Sequence, residues 1–130
     1  MSTPSIVIAS VARTAAGSLE LSPTRPRINA VPERTGVEAS EMDEVIRGEA
    51  LPRGEGKSPA RQAMKAWILR EATACRVHHL RGLGLRAAAV GLQQIVTGDA
   101  KIIVADGQEL MSMTPRYAHL RNGTSKGGMK

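Results

Sequence analysis

The residues best able to do chemistry crowd into one stretch, Cys75-Arg-Val-His78-His79-Leu-Arg81-Gly82-Leu-Gly84. Cys75, His78 and His79, with His119 further on, are metal-donor types. Their Cys-x-x-His-His spacing fits no usual zinc pattern, and adjacent histidines on a strand point to opposite faces, so no metal site is expected. Gly82-Leu-Gly84-Leu-Arg-Ala87 fits the G-x-G-x-x-A fingerprint of a dinucleotide-binding turn. Asp106 follows at the offset of a ribose-binding acid. One function compatible with the residues is therefore a dinucleotide-binding module using Gly82, Gly84, Ala87 and Asp106. The preceding Cys-Arg-Val-His-His-Leu-Arg stretch weighs against it, because two histidines and two arginines fit poorly in a strand buried on both faces. A glycine pair opening a helix also serves plain close packing. Ser18, Ser112 and Thr114 have no nucleophile-elbow context or evident base, so no hydrolase is argued.

The elements that must hold this stretch follow from its flanks. Leu85, Ala88, Ala89, Leu92, Ile95 and Val96 recur at helical spacing, and Gly98 stands where a helix stops. Lys101-Ile-Ile-Val-Ala105 is a short apolar run of the kind buried in a parallel sheet. Together these predict a strand near Cys75–Leu80, a glycine turn, a helix over 82–97 and a strand over 101–105. Upstream, Ser5–Ala9 reads as a first strand. Pro23, Pro26 and Pro32 interrupt any helical period between Glu20 and Gly36. Ser40–Asp43 reads as a single turn, and Glu44–Leu51 as a second strand weakened by Gly48. Ser58 and Pro59 open a helix that runs to Glu71. The expected fold class is α/β: a mainly parallel sheet with covering helices over residues 1–113, then a basic tail over 114–130.

Composition narrows the classes. The chain has 130 residues and a formal charge of +6, yet no Phe, one Trp and one Tyr. Scattered arginines with almost no aromatic rings argue against nucleic acid. The one basic cluster, Arg25-Pro26-Arg27, lies in a proline-rich loop. A lone cysteine excludes an internal disulfide framework. No apolar run approaches the roughly 20 residues of a membrane span. These features lead to an expectation of a cytoplasmic chain with no membrane partner.

Three stretches carry a resemblance: SIVIASVARTAAGS, DEVIRGEALPRGEGKSPARQAMKA, and GLGLRAAAVGLQQIVTGDAKIIVADGQELMSM with PRYAHLR. In this order they make the chain similar to the N-terminal part of a bacterial biosynthetic thiolase, an acetyl-CoA acetyltransferase. The resemblance implies an incomplete N-terminal half of the thiolase fold, followed from residue 114 by the start of a loop domain. It implies acyl transfer on coenzyme A thioesters as the family chemistry, and coenzyme A as the family ligand. It also implies association with a second copy or with a thiolase-like partner chain. No resident cofactor is expected.

The departures from that pattern bear on activity. The family's nucleophilic cysteine lies in an Asn-x-x-Cys-x-Ser-Gly segment at a helix N-terminus, where free N–H groups and the helix dipole favour a thiolate. Here the corresponding residues are His78, Arg81, Leu83 and Gly84. Arg81 stands at the cysteine position, and a guanidinium that stays protonated cannot carry an acyl group. Cys75 is expected to be a buried structural thiol. The family's catalytic histidines and second cysteine belong to a C-terminal half outside these 130 residues. Asp106 stands in a segment where the family has paired glycines, placing a carboxylate where backbone alone is usual. The expectation is a chain without catalytic residues of its own, inactive by itself.

Overall fold

The computed structural model describes residues 5–13, 30–31, 33–50, 58, 60–61 and 72–109. Among these, three parallel strands form one sheet: β1 Glu44–Gly48, β2 Thr73–Val77 and β3 Ile103–Gly107. Their order is β2-β1-β3, so the first strand is central and the later two flank it. One helix, α1 Leu83–Thr97, joins β2 to β3.

The sheet has two distinct faces. Ile46 and Gly48 of β1, with Ile103 and Gly107 of β3, lie toward α1, since these are the residues that its Leu83, Gly84 and Gly91 meet. Val45 and Val104 take the opposite face and pack with Met42 and Ala72, with Val37, Ala74 and Ile102 around them. Burying side chains on both faces requires a strand apolar throughout or internally paired. Val45 to Glu49 are all buried, so β1 is that strand. The prediction gave the role to the run at 101–105. In the structure that run is displaced to Ile103–Gly107, and only Val104 within the strand is buried.

The helix forms where it was expected, but the stripe that announced it faces outward: Leu85, Leu92 and Val96 are exposed. Leu83, Ala87 and Gly91 make its buried face. Gly98 takes the left-handed conformation, φ 83°, and its N–H donates to the Ile95 carbonyl while that of Asp99 donates to Gln94. These bonds satisfy carbonyls that a helix end leaves open. Gly91 lets the helix lie on the sheet: a Cβ there would sit 3.2 Å from Ile103 Cγ2.

Several boundaries differ from expectation. Ser5–Ala9 is not a strand; residues 5–13 are irregular, and Val7, Ile8 and Val11 are exposed. An apolar run becomes a strand only where a neighbouring edge pairs with it, and among the described residues none does. Arg34 Nη1 donates to the Val11 carbonyl at 2.7 Å. Residues 30–31 and 33–35 are helical where the prolines argued against a helix. Pro32 itself lies outside the described residues. The predicted turn at 40–43 is a 3-10 turn over Ala39–Glu41. β1 ends at Gly48, and β2 runs over Thr73–Val77, earlier than the predicted 75–80. Ala60 and Arg61 are helical; the rest of the expected 59–71 helix lies outside the described residues, as does the tail over 114–130. No helix among the described residues is long and apolar enough to cross a membrane.

Candidate functional site

The chemistry-bearing stretch folds as a tight elbow. β2 ends at Val77, and a 3-10 turn over Leu80–Gly82 leads directly into α1 at Leu83. The Gly82 N–H donates to the His79 carbonyl at 2.8 Å. Leu80 has φ 44°, a left-handed conformation that costs a leucine about 1 kcal/mol or more. His78, His79, Leu80 and Arg81 are all exposed. The first turn of α1 has neither a side-chain cap nor an acidic residue. Arg81 therefore sets a cation beside the positive end of a helix dipole, a placement suited to an anion or a thiolate.

Gly84 and Ala87 sit where the start of the helix meets the sheet, while a Cβ on Gly82 would meet the His79 side chain at 2.7 Å. Ala87 is fully buried. Gly84 lies on Gly107: a Cβ at Gly107 would come 2.8 Å from both Cα and N of Gly84. A Cβ on Gly48 would come 2.3 Å from the Leu83 carbonyl oxygen. The close packing that the sequence allowed for Gly82 and Gly84 therefore rests on the strand glycines Gly48 and Gly107, since a Cβ on Gly84 would meet Gly107 only at an ordinary 3.6 Å.

Asp106 is engaged by a residue that sequence reasoning missed. Arg47 of β1, 1% exposed, donates from Nε to Asp106 Oδ1 at 3.0 Å and from Nη2 to Oδ2 at 2.7 Å. Its Nη1 donates to Gln108 Oε1 at 3.0 Å. Arg47 and Asp106 are direct partners in the parallel register, as are Gly48 and Gly107 behind them. The signal was present in the two strands themselves: EVIRG and IVADG share valine, then charge, then glycine at matching places. On this face, away from α1, Glu49 is buried and faces Arg76 Nη1 at 4.0 Å; beyond the strand ends, Glu109 accepts from the Ala50 N–H.

Cys75 lies six residues before Arg81, on β2 in register with Ile46. Burial, and then a hydrogen bond and the charge of Glu44, push its thiol up to about 11. Among the described residues no group of three or more His, Cys, Asp or Glu could hold a metal ion, and His119 lies outside them. A recess of about 390 Å³ opens at the opposite, N-terminal ends of the strands, between Asp43, Thr73 and Asp99. There the Asp43 carboxylate accepts the N–H groups of Lys101 and Ile102, which hold its pKa below the usual range.

This strand–elbow–helix–strand arrangement has known counterparts. A family model described as thiolase, N-terminal domain, matches residues 6–130. The chain belongs to the thiolase family. It is 57% identical to the acetyl-CoA acetyltransferases of Rhizobium meliloti and Shinella zoogloeoides, and each alignment covers all of this chain and 35% of the relative. The chain thus spans about a third of their length and corresponds to the N-terminal part of such a transferase. Two solved structures share the fold. One is the Bacillus anthracis acetyl-CoA acetyltransferase, with TM-score 0.70 and 28% identity over 78% of this chain and 26% of that one. The other is the Acat5 thiolase from Ascaris suum in complex with coenzyme A, with TM-score 0.67 and 29% identity over 76% of this chain and 26% of that one. The α/β fold class expected from the sequence is the one observed.

Proposed function

We propose that this chain provides the N-terminal α/β part of a thiolase fold without an acyl-carrying nucleophile, and that it is inactive by itself. What supports this reading is Arg81, exposed in the elbow before α1, where the resemblance to the family's motif would put its cysteine. Cys75 offers no substitute: it lies on β2 rather than at the helix start, and its raised pKa keeps it a neutral thiol near pH 7. What this part of a thiolase contributes is binding and shape. Acyl-CoA is its proposed ligand class by family analogy, and a second copy or another thiolase-like chain its proposed partner.

The dinucleotide alternative is less well supported. Asp106 spends both carboxylate oxygens on Arg47, and Gly84 lies against the backbone of Gly107. A ribose would have to break a charge-assisted, bidentate pair.

Catalysis is the direct test. The purified chain is expected not to cleave or form acetoacetyl-CoA, and Arg81→Cys is expected not to restore turnover. A thiolate alone supplies a nucleophile. The reaction also needs a positioned acid–base group and oxyanion donors, each worth about a hundredfold or more. Mass spectrometry after incubation with acetyl-CoA is expected to find at most one acetyl adduct on the Arg81→Cys chain. Steady release of coenzyme A by the unsubstituted chain, scaling with its concentration, would overturn the reading.

A further inference from the structure

We infer that the Arg47–Asp106–Gln108 cluster is a clamp that positions the elbow and the start of α1, through the two glycines it brackets. Arg47 and Glu49 flank Gly48, and Asp106 and Gln108 flank Gly107. Gly48 and Gly107 are register partners, and they are the two strand residues on which Leu83 and Gly84 rest. The clamp and the helix thus occupy opposite faces of the same two backbone segments. A shift of β3 against β1 along the strand direction would separate Arg47 from Asp106. It would also pull Gly107 from beneath Gly84 while Gly48 stayed beneath Leu83.

Chemistry makes the pair mutually dependent. Arg47 is 1% exposed, and its guanidinium cannot lose its charge, so without Asp106 it is a buried cation with one amide partner. Asp106 is 21% exposed and can take up water when Arg47 is absent. Removing the acid is therefore worse than removing the base. Removing both leaves an ordinary parallel ladder, with Leu at 47 and Gly at 106 in place of the charges. The role of the clamp is independent of whether the family's chemistry is retained.

A thiol placed at the elbow by Arg81→Cys, in the full chain carrying Cys75→Ala, reports the position of the helix start. Its apparent pKa is read from the pH dependence of iodoacetamide alkylation, and the folded fraction from circular dichroism. A well-seated helix N-terminus lowers that pKa. Arg47→Leu and Asp106→Gly are each expected to raise it. Alkylation at pH 7 should slow by about two- to fivefold after correction for folded fraction. The double substitution is expected to recover both the pKa and the stability. The common sign is the discriminating feature: direct charge effects of losing a cation and losing an anion would be opposite. Arg47→Lys keeps the charge without the fork and should also raise the pKa, so the test survives if Asp106→Gly fails to fold. Opposite or absent pKa shifts, or a double variant no better than the worse single one, would overturn the inference.

Discussion

Gly48→Ala tests how closely α1 sits on the sheet. The added Cβ would lie 2.3 Å from the Leu83 carbonyl oxygen, 2.4 Å from its carbon and 2.8 Å from its Cα. All three are backbone atoms, so no side-chain rotation relieves the contact. Carbon atoms rest comfortably at about 3.5 Å or more, so the helix start must retreat by about 1 Å. That retreat loosens Leu83 and Ala87, both buried against the sheet. Overpacking of a well-filled core costs about 1–3 kcal/mol, and a backbone clash belongs at the upper end. A loss of about 3 kcal/mol is a roughly hundredfold drop in the folded-to-unfolded ratio. In urea, followed by circular dichroism at low protein concentration, the midpoint should fall by about 1–2 M. Gly84→Ala is the control. Its Cβ would meet Gly107 at 3.6 Å, an ordinary contact, and alanine is favoured over glycine in a helix by up to about 1 kcal/mol. It should be neutral or stabilising. A Gly48→Ala chain within about 0.5 kcal/mol of the parent, or a Gly84→Ala chain that is the worse of the two, would refute the packing argument.

Calorimetry with NAD or NADP is expected to show no appreciable binding; micromolar affinity lost in Asp106→Ala would restore the dinucleotide reading. Self-association is expected on size-exclusion chromatography, because Val7, Ile8, Leu85 and Val96 are exposed at 75%, 83%, 83% and 55%. A clean monomer across a wide concentration range would count against it. Asp43→Asn should destabilise the chain at neutral pH. The folded pKa of Asp43 is depressed, so its contribution is present above the ordinary value of 3.8 and is lost as pH falls through the lower folded value. The parent and variant urea midpoints should therefore converge in acid, and a gap that persists there would refute the assignment. Alkylation of Cys75 at pH 8 should be slow, since a thiol at about 11 is roughly one-thousandth ionised. A rate like that of a free peptide thiol would show that Cys75 is not held as described.

How far the sequence could be read depended on how local each signal was. The helix over 83–97 was legible because its period and its flanking glycines are local, but its buried face was not: Leu83, Ala87 and Gly91 are buried, whereas Leu85, Leu92 and Val96 of the expected stripe are exposed. The central strand was undervalued because Gly48 lowers strand propensity; its reason for being there, the carbonyl of Leu83, is 35 residues away. Ser5–Ala9 showed the reverse error. Its apolar run has strand composition, but pairing depends on a neighbour that composition does not report. At the candidate site, the turn ahead of the helix was legible from its closely spaced glycines. Arg47 was not, because a lone arginine in a strand acquires meaning only from Asp106 on another strand.

That separation has a consequence for the order in which the chain is made. Arg47 leaves the ribosome 59 residues ahead of the carboxylate that neutralises it. At about 5–20 residues per second, β1 and β2 are both synthesised seconds before β3. During that interval, pairing β1 with β2 and burying its outward face would enclose an unmatched guanidinium, also in register with Arg76. The nascent sheet is therefore discouraged from closing early. By the time β3 is made, α1, which lies between β2 and β3, has already been synthesised. A charge inside the central strand thus ties the favourable burial of that strand to a carboxylate made 59 residues later.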